Sequence, residues 1–367
     1  MPLMIDVVSV PSGNSPGKEG LMIARYKVLH PHDVQASKLH QAFALDVLLG
    51  LSHVPKSLPS KYFYDEEGSK LFQRITELPE YYLTQCEFEI FQSNKQEIGK
   101  LIGGNQFNLV ELGAGDGRKT RILLEHFLKA GLDFRYVPID ICEAAVQGLI
   151  GGLDQYSPQL HIEGLVADYC DGLKWLHNMN EHRNVVLFLG SSIGNFTHSE
   201  ARVFLCSLWS ALEDGDYLLI GFDLRKDIQL LERAYNDSQD VTAQFNLNLL
   251  QRINRELGGS FKVDQFQYHS TYNALSGAIE SYLVSRQKQV VHIETLSQSF
   301  FFEAWEPVHT EYSHKYLESD IASLAEETGF TIVTHLIDSK KYFVDSVWQV
   351  NKGGVNLERS RANEQRA

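Results

Sequence analysis

Hydrophobic residues in the first third of the chain recur at the spacing of an α-helix. Between Ala36 and Gly103 they fall on one helical face, as at Leu71, Phe72, Ile75 and Leu78. The period is interrupted at 61–69 and 79–84. The pattern therefore predicts a helical lobe with two irregular loops.

From residue 105 the pattern changes to short β-rich runs separated by helical stretches. The runs are Phe107–Leu112, Arg135–Ile139, His161–Val166, Val185–Leu189 and Tyr217–Phe222. The helical spacers are Lys119–Ala130, Ala144–Leu153, Asp171–Met179 and Ser199–Leu212. Each spacer is long enough for the crossover between parallel neighbours, so the alternation predicts a parallel α/β sheet.

Beyond Asp223 helical and β-like patterns are mixed. The helical segments are Ile228–Arg233, Val241–Leu257 and Ser319–Thr328. The β-like runs are Phe261–Tyr272, Ile279–Arg286, Gln289–Thr295, Thr331–Ile337 and Tyr342–Val350. The last two are close enough to form a hairpin. Five parallel strands, an insertion and a closing antiparallel hairpin resemble the Rossmann-like sheet of class I methyltransferases.

Composition narrows the class of protein. The 367 residues are 43% hydrophobic and 22% charged, as in ordinary soluble domains. Their net charge of −14 repels phosphate backbones, so we expect no nucleic-acid partner. The four cysteines are far apart and no metal-ligand spacing occurs, which favours a reducing cytoplasm and no metal. Neither a signal peptide nor an apolar run long enough to cross a membrane is seen.

The first predicted strand runs into a glycine-rich loop at the start of a helix. Gly113, Gly115 and Gly117 let a ligand approach the backbone, and the helix N-terminus offers free N–H groups. A dinucleotide fingerprint would need glycine at 118, where the chain has Arg118. The loop could be a simple tight turn, but its spacing favours S-adenosylmethionine over NAD.

Acidic residues follow the next two strands. Asp140 can accept hydrogen bonds from both ribose hydroxyls, and Asp168 can accept from the adenine amino group while Tyr169 covers its face. Either aspartate alone could be a helix cap. Together with the glycine loop they mark the strand ends at which open α/β sheets bind ligands. The fourth strand leads into Gly190–Asn195, a turn of small residues that suits a compact polar substrate and lacks the Pro-Pro-aromatic motif of nucleic-acid amino methyltransferases.

Several motifs in order resemble the L-histidine Nα-methyltransferase family of ergothioneine biosynthesis. They are Lys61–Ser69, Ile75–Thr84, Glu111–Gly117, Leu189–Asn195, Gly221–Leu224 and Ala234–Asp237. The resemblance spans roughly Ser60 to Val350. It implies an S-adenosylmethionine-dependent enzyme that methylates the α-amine of histidine up to three times, giving the betaine hercynine. We expect it to act on the free amino acid as a monomer with no obligate protein partner.

The resemblance also implies roles for individual residues. The cofactor site would be lined by Tyr64, Gly113, Lys119, Asp140, Asp168 and Tyr169. Gly190, Asn195 and Tyr235 would hold the α-amino and carboxylate groups, and Tyr81 and Glu294 would read the imidazole. Tyr64 and the carbonyl of Gly190 would orient the neutral amine. The implied lobes are an N-terminal arm 1–35, a mixed α+β substrate lobe 36–85 and 226–298, a methyltransferase core 86–225 and 299–350, and a flexible tail 351–367.

Two departures from the family pattern concern the side-chain pocket. Family members typically show Glu-x-Ser near Glu294, where this chain has Leu296, and methionine where it has Ser281. The second interpretation is therefore the same chemistry on another aromatic amino acid or amine, such as tryptophan, whose indole N–H could donate to Glu294. A methyltransferase-like binding protein without turnover is the third, and the intact glycine loop, Asp140 and Asn195 argue against it.

Overall fold

The computed structural model describes residues 26–28, 36–178 and 181–353. The helices are α1 (Ala36–Ser52), α2 (Glu66–Thr76), α3 (Tyr82–Ile102), α4 (Thr120–Lys129), α5 (Glu143–Tyr156), α6 (Tyr169–Leu176), α7 (His198–Ala211), α8 (Ile228–Tyr235), α9 (Val241–Leu257) and α10 (Glu318–Thr328). The strands are β1 (Tyr26–Val28), β2 (Lys56–Ser57), β3 (Phe107–Leu112), β4 (Phe134–Asp140), β5 (His161–Ile162), β6 (Gly164–Val166), β7 (Arg183–Phe188), β8 (Tyr217–Asp223), β9 (Phe266–Asn273), β10 (Ala278–Ser285), β11 (Gln289–Ile293), β12 (Gln298–Phe302), β13 (Pro307–His314), β14 (Phe330–Ile337) and β15 (Phe343–Val350).

The larger sheet has the strand order β1-β6-β4-β3-β7-β8-β15-β14, with β5 also paired to β4. Its strands run parallel as far as β8, after which β15 and β14 are antiparallel. The predicted class I methyltransferase sheet with a closing hairpin is thereby confirmed. The chain order reverses at β3, which lies between β4 and β7, and this reversal opens a crevice at the carboxyl ends of the strands.

Strand β3 shows why this sheet is covered on both faces. All six of its residues are buried. Phe107 and Leu109 pack into the hydrophobic core that includes side chains of α3, α4 and α5. Val110 and Leu112 pack into a second core with side chains of α6, α7 and α10. Four of its six residues are apolar, and the other two, Asn108 and Glu111, are buried as well, so the strand has no solvent-facing polar side.

A smaller four-stranded sheet has the order β2-β13-β10-β9, and β11 and β12 form a separate hairpin. Residues 299–314, which the sequence analysis assigned to the core, thus form most of β12 and all of β13, and β13 pairs with β10 of the smaller sheet. Strand β13 was not predicted because several of its buried side chains are polar, as at Thr310, Ser313 and His314.

The predicted arm 1–35 and tail 351–367 lie mostly outside the described residues. The exception in the arm is β1, which pairs in parallel with β6 at the edge of the larger sheet. No helix in the described part of the chain is long and apolar enough to cross a bilayer.

Candidate active site

A cleft of about 540 Å³, open to solvent, lies at the carboxyl end of β7 between the two sheets. Its lining residues are Tyr64, Phe72, Ile75, Tyr81, Gly190, Ser191, Ser192, Asn195, Ala234, Tyr235, Thr242, Phe245, Glu311 and Ser313. The structure thus brings together residues that are far apart in sequence. Tyr81, Gly190, Asn195 and Tyr235, which the resemblance placed at the substrate, all line this cleft. So does Tyr64, which the resemblance placed at the cofactor and which is expected to orient the amine.

The glycine loop after β3 is tied to the end of β4 by Asp140. One Asp140 oxygen accepts the Gly115 N–H at 2.9 Å and the other accepts the Cys142 N–H at 2.9 Å. Burial raises the pKa of the Asp140 carboxyl, and these backbone hydrogen bonds oppose the rise. Gly113 has a φ of +73°, and a Cβ there would lie 2.9 Å from the Tyr169 hydroxyl. These residues fit an adenosyl group because the loop is open to close approach and a carboxylate stands beside it.

Asp168 and Tyr169 lie at the start of α6, beside this loop. The Asp168 side chain is exposed and accepts the Asp171 N–H at 2.9 Å, which is the hydrogen bond of a helix cap. Tyr169 packs edge-on against Phe188, with ring centroids 5.3 Å apart. The tyrosine is therefore held at the loop by the core of the sheet.

Glu87 of α3 connects the loops that follow β3 and β7. Its fully buried carboxylate accepts the Gly190 N–H at 2.7 Å and a hydrogen bond from Lys119 Nζ at 2.5 Å. The sequence analysis missed this residue, since a glutamate within an amphipathic helix carries no motif. Its place between Lys119 and Gly190 aligns the predicted cofactor and substrate loops.

Asn195 is positioned by a short 3-10 helix, residues Ser192–Asn195, that packs on β13. A Cβ at Gly194 would lie 2.9 Å from the backbone oxygen of His314, so only glycine allows this approach. Ser191 precedes the turn with a φ of 56°, and its hydroxyl accepts the Asp223 N–H at 3.0 Å. Strands β8 and β13 therefore hold the loop that carries the side-chain amide of Asn195.

Two hydroxyl groups and a buried lysine meet at the wall formed by α8 and β13. The Tyr235 Oη lies 2.6 Å from Ser313 Oγ, and Lys315 Nζ lies 2.8 Å from each of these oxygens. Lys315 Nζ is also 2.8 Å from a carboxylate oxygen of Asp223. Burial is the largest cause that raises the pKa of Tyr235, so its hydroxyl stays protonated.

Glu311 is the acidic side chain of the cleft. It stands directly opposite Ser281 in the pairing of β13 with β10. Its carboxylate has no hydrogen bond to another described residue, and burial raises its pKa to about 7 although the charge of Lys315 opposes the rise. The carboxylate is therefore free to accept an N–H group from a ligand.

The structure corrects the prediction that Glu294 and Leu296 read the substrate side chain. Both lie in a 3-10 turn after β11, with Glu294 exposed and packed beside Gly258 at the end of α9. A helix rise of about 1.5 Å per residue puts Gly258 about 20 Å along α9 from Phe245, which lines the cleft. Neither residue can reach the cleft from there.

Ser281 does not line the cleft either. It is buried, its hydroxyl lies 3.2 Å from that of Tyr268, and it approaches the site only through its strand partner Glu311. The Glu-x-Ser spacing that the resemblance predicts occurs instead at Glu311 and Ser313. This signal was present in the sequence and was missed because β13 was not recognised as a strand.

No group of histidine, cysteine, aspartate and glutamate side chains among the described residues could hold a metal ion. The donor set of the cleft consists of amide, hydroxyl and carboxyl groups. Such groups orient an organic substrate by hydrogen bonds.

Comparison with known proteins places this chain among methyltransferases. The profile of a family described as histidine-specific, SAM-dependent methyltransferases matches residues 43–350. A histidine N-alpha-methyltransferase of Mycolicibacterium smegmatis is 39% identical over 292 residues, 79% of this chain and 90% of that protein. Ergothioneine biosynthesis protein 1 of Schizosaccharomyces pombe is 32% identical over 307 residues, 79% of this chain and 39% of that protein. An L-tryptophan methyltransferase of Psilocybe serbica is 27% identical over 336 residues, 84% of this chain and 93% of that protein.

Proposed function

The chain belongs to the histidine-specific, S-adenosylmethionine-dependent methyltransferase family, and from this premise we propose that it methylates the α-amine of free L-histidine. Repeated transfer would give the trimethylated betaine hercynine, a step of ergothioneine biosynthesis. The choice of substrate is based on the polar groups that line the cleft. Asn195 and Tyr235 lie in the same cleft as Glu311 and Ser313, so that donors for a carboxylate and polar groups for a ring share one site.

Each end of histidine has suitable partners in this arrangement. The Asn195 amide and the Tyr235 hydroxyl can donate to the α-carboxylate. Glu311 can accept a ring N–H, and Ser313 can exchange a hydrogen bond with the second ring nitrogen. Gly190, beside the cofactor loop, lies where the amine must meet the methyl donor.

When bound, S-adenosylmethionine supplies an electrophilic methyl group on a sulfonium. The chain's own residues must present a neutral amine whose lone pair points at that methyl, so catalysis is mostly positioning. Burial in the cleft disfavours the ammonium form of the amine. Burial also raises the pKa of the Tyr64 hydroxyl, which therefore stays protonated, and its oxygen can accept an amine N–H and orient the lone pair.

A methylated product that becomes a quaternary ammonium needs aromatic faces around it. Tyr64, Phe72, Tyr81 and Phe245 line the cleft, and their rings pack edge-on or tilted against one another. Such rings stabilise a cation that has no N–H group left to donate. They support successive methylations in one site.

Tryptophan is the competing substrate, and the structure weakens the reason for it. Leu296, one of the two departures that favour tryptophan, lies in the 3-10 turn after β11 and is not among the lining residues of the cleft. An imidazole has two nitrogens for Glu311 and Ser313, whereas an indole has one. The unmatched polar group would cost about 1–3 kcal/mol if left buried and unpaired.

The test is a competition among free amino acids. The full chain is incubated with S-adenosylmethionine and equimolar histidine, tryptophan, tyrosine and phenylalanine, and products are identified by mass spectrometry. We expect mono-, di- and trimethylated histidine to dominate. A majority of methylated tryptophan would refute the choice of substrate, and no methylated product at all would favour the binding-protein interpretation.

We also infer that the enzyme works as a cytoplasmic monomer. The cysteines in the described part of the chain are free, with Cys86 and Cys142 buried and Cys170 and Cys206 exposed, as is ordinary in a reducing compartment. The residues that the proposed reaction uses at the substrate, from Tyr64 to Ser313, all come from this chain. Light scattering coupled to size exclusion would measure the mass in solution, and a dimer at enzymatic concentrations would contradict the inference.

A further inference from the structure

The described residues that line the cleft include no positively charged side chain for a substrate carboxylate. Among the described residues that line it, Glu311 carries the formal charge, and that charge is negative when ionised. Transfer of a carboxylate from water into such a site is costly unless a counter-charge lies within reach. One candidate lies behind the wall of the cleft.

Lys315 directly follows β13, and its side chain is completely buried. Its Nζ has three partners at 2.8 Å each: Tyr235 Oη, Ser313 Oγ and Asp223 Oδ2. An ammonium group has three donors and no acceptor. Lys315 therefore donates to both hydroxyl oxygens, and both hydroxyls are acceptors in these bonds.

The two hydroxyls then have two hydrogens between them. One hydrogen is used in the 2.6 Å bond between Tyr235 and Ser313. Neither oxygen has a further acceptor among the described residues, and both side chains line the cleft. One O–H group is thus left to donate to a ligand, and which hydroxyl carries it depends on the direction of the bond between them.

We propose that Lys315 is a positioning residue that supplies the counter-charge for the substrate α-carboxylate through the Tyr235 hydroxyl. The proposal rests on the proposed function in that the ligand is an α-amino acid. With a carboxylate at Tyr235, that hydroxyl donates to the ligand, Ser313 donates to Tyr235, and Lys315 donates to both. The chain of hydrogen bonds is polarised toward the ligand by a buried cation.

The same hydrogen count couples the two ends of the substrate. Once Ser313 donates to Tyr235, its remaining lone pair can only accept a hydrogen bond. A ring N–H meets this need, and because Glu311 accepts the other ring N–H, the pair of acceptors matches an imidazole that is protonated on both nitrogens. A decarboxylated amine leaves the direction of the bond between the hydroxyls undetermined.

A second buried lysine provides a matched control. Lys226 is 5% exposed and pairs with the same carboxylate, Asp223, but its other side-chain partner is the Tyr82 hydroxyl at 3.0 Å. It makes no hydrogen bond to Tyr235 or Ser313. Loss of Lys226 therefore perturbs the ion cluster without touching the hydroxyl pair.

The experiment compares histidine with histamine, its decarboxylated analogue, by steady-state kinetics on the wild type, Lys315→Met and Lys226→Met. We expect Lys315→Met to raise the KM for histidine by at least about tenfold with a smaller change in kcat, because hydrogen bonds to charged groups are the strong ones. The parameters for histamine should change little, so the preference for histidine collapses. Lys226→Met should keep that preference. The proposal would be overturned if Lys315→Met lost the same fraction of kcat/KM with histidine and with histamine, or if Lys226→Met lost the preference for histidine to the same extent. Either outcome would show a merely structural role for Lys315.

Tyr235→Phe keeps the proposal testable if Lys315→Met does not fold. This variant removes the hydroxyl that links the Lys315 ammonium to the substrate carboxylate, and it leaves the ion pair of Lys315 with Asp223 in place. It should therefore lose the same preference for histidine over histamine. Unchanged selectivity in a folded Tyr235→Phe protein would also refute the proposal. Absence of histidine turnover in the wild type would instead refute the proposed function. The comparison would then be repeated with the amino acid that is methylated and its decarboxylated amine.

Discussion

Replacing Glu311 is the most direct test of how the cleft recognises the side chain of its substrate. The carboxylate makes no hydrogen bond to another described residue, so Glu311→Ala breaks no hydrogen bond within the described part of the protein. A hydrogen bond between a ring N–H and an ionised carboxylate contributes about 1.5–3 kcal/mol, which is roughly 10- to 150-fold in affinity. We expect the KM for histidine to rise by that factor, and Glu311→Gln to lie between wild type and alanine because its amide oxygen still accepts.

Glu311 also makes the stability of the folded protein depend on pH. Burial raises the pKa of Glu311 from 4.5 to about 7, so the folded state binds this proton more tightly than the unfolded state. The free energy of unfolding therefore falls as pH rises from 4.5 through 7. Glu311→Gln removes that dependence, and its melting temperature at pH above 7 should equal or exceed that of the wild type.

The assay is methyl transfer at saturating S-adenosylmethionine with varied histidine, alongside thermal melts across this pH range. Glu294→Gln is the control, since that carboxylate is exposed and lies beside the far end of α9. We expect its KM to be unchanged. A KM within about twofold of wild type for Glu311→Ala, or a larger effect from Glu294→Gln, would refute the assignment of side-chain recognition to Glu311.

Further variants test the cofactor edge, the substrate loop and the outer face of β13. Asp140→Ala should weaken S-adenosylmethionine binding by at least about tenfold in calorimetry, because it removes charge-assisted hydrogen bonds, and unchanged affinity would contradict the site. Glu87→Gln should weaken cofactor binding because one amide cannot replace both bonds of the carboxylate, whereas Glu89→Gln, which loses only a surface bond to a loop amide, should not. Gly194→Ala should lower kcat/KM, on the order of 100-fold for a 1 Å displacement of the loop, and a fully active variant would show that the loop tolerates the shift. Burial lowers the pKa of His314 from 6.5 to about 4, so its contribution to stability is present above pH 6.5 and is lost as pH falls toward 4; the melting temperature of His314→Phe should depend less on pH in this range.

Local pattern was sufficient to predict the strands and loops at the carboxyl edge of the larger sheet. Strands such as β3 and β7 are buried on both faces, and their carboxyl ends lead directly into the loops that carry Gly113 and Gly190. The order of strand, loop and helix therefore places these residues at one edge of the sheet before any long-range contact is known. The role of Glu87 could not be predicted in this way. Its hydrogen bonds to Lys119 and Gly190 depend on the long-range contacts that bring both loops beside α3.

The substrate side depends on long-range pairing, and here one strand decides the outcome. Glu311 faces the cleft because β13 pairs with β10 through an irregularity at Ser281 and Tyr282, and a shift of one residue would send its side chain to the opposite face. Period-two alternation places 311, 313 and 315 on one face of the chain, and that face is polar although it points inward. A rule that assigns polar residues to solvent discards such a strand, and without β13 the resemblance points to Glu294 rather than to Glu311. The inward face carries an acid, a hydroxyl and a buried lysine that pairs with Asp223. Under the proposed function this face meets a charged substrate, so the polarity that hides the strand from sequence patterns is the same property that would let it recognise an amino acid.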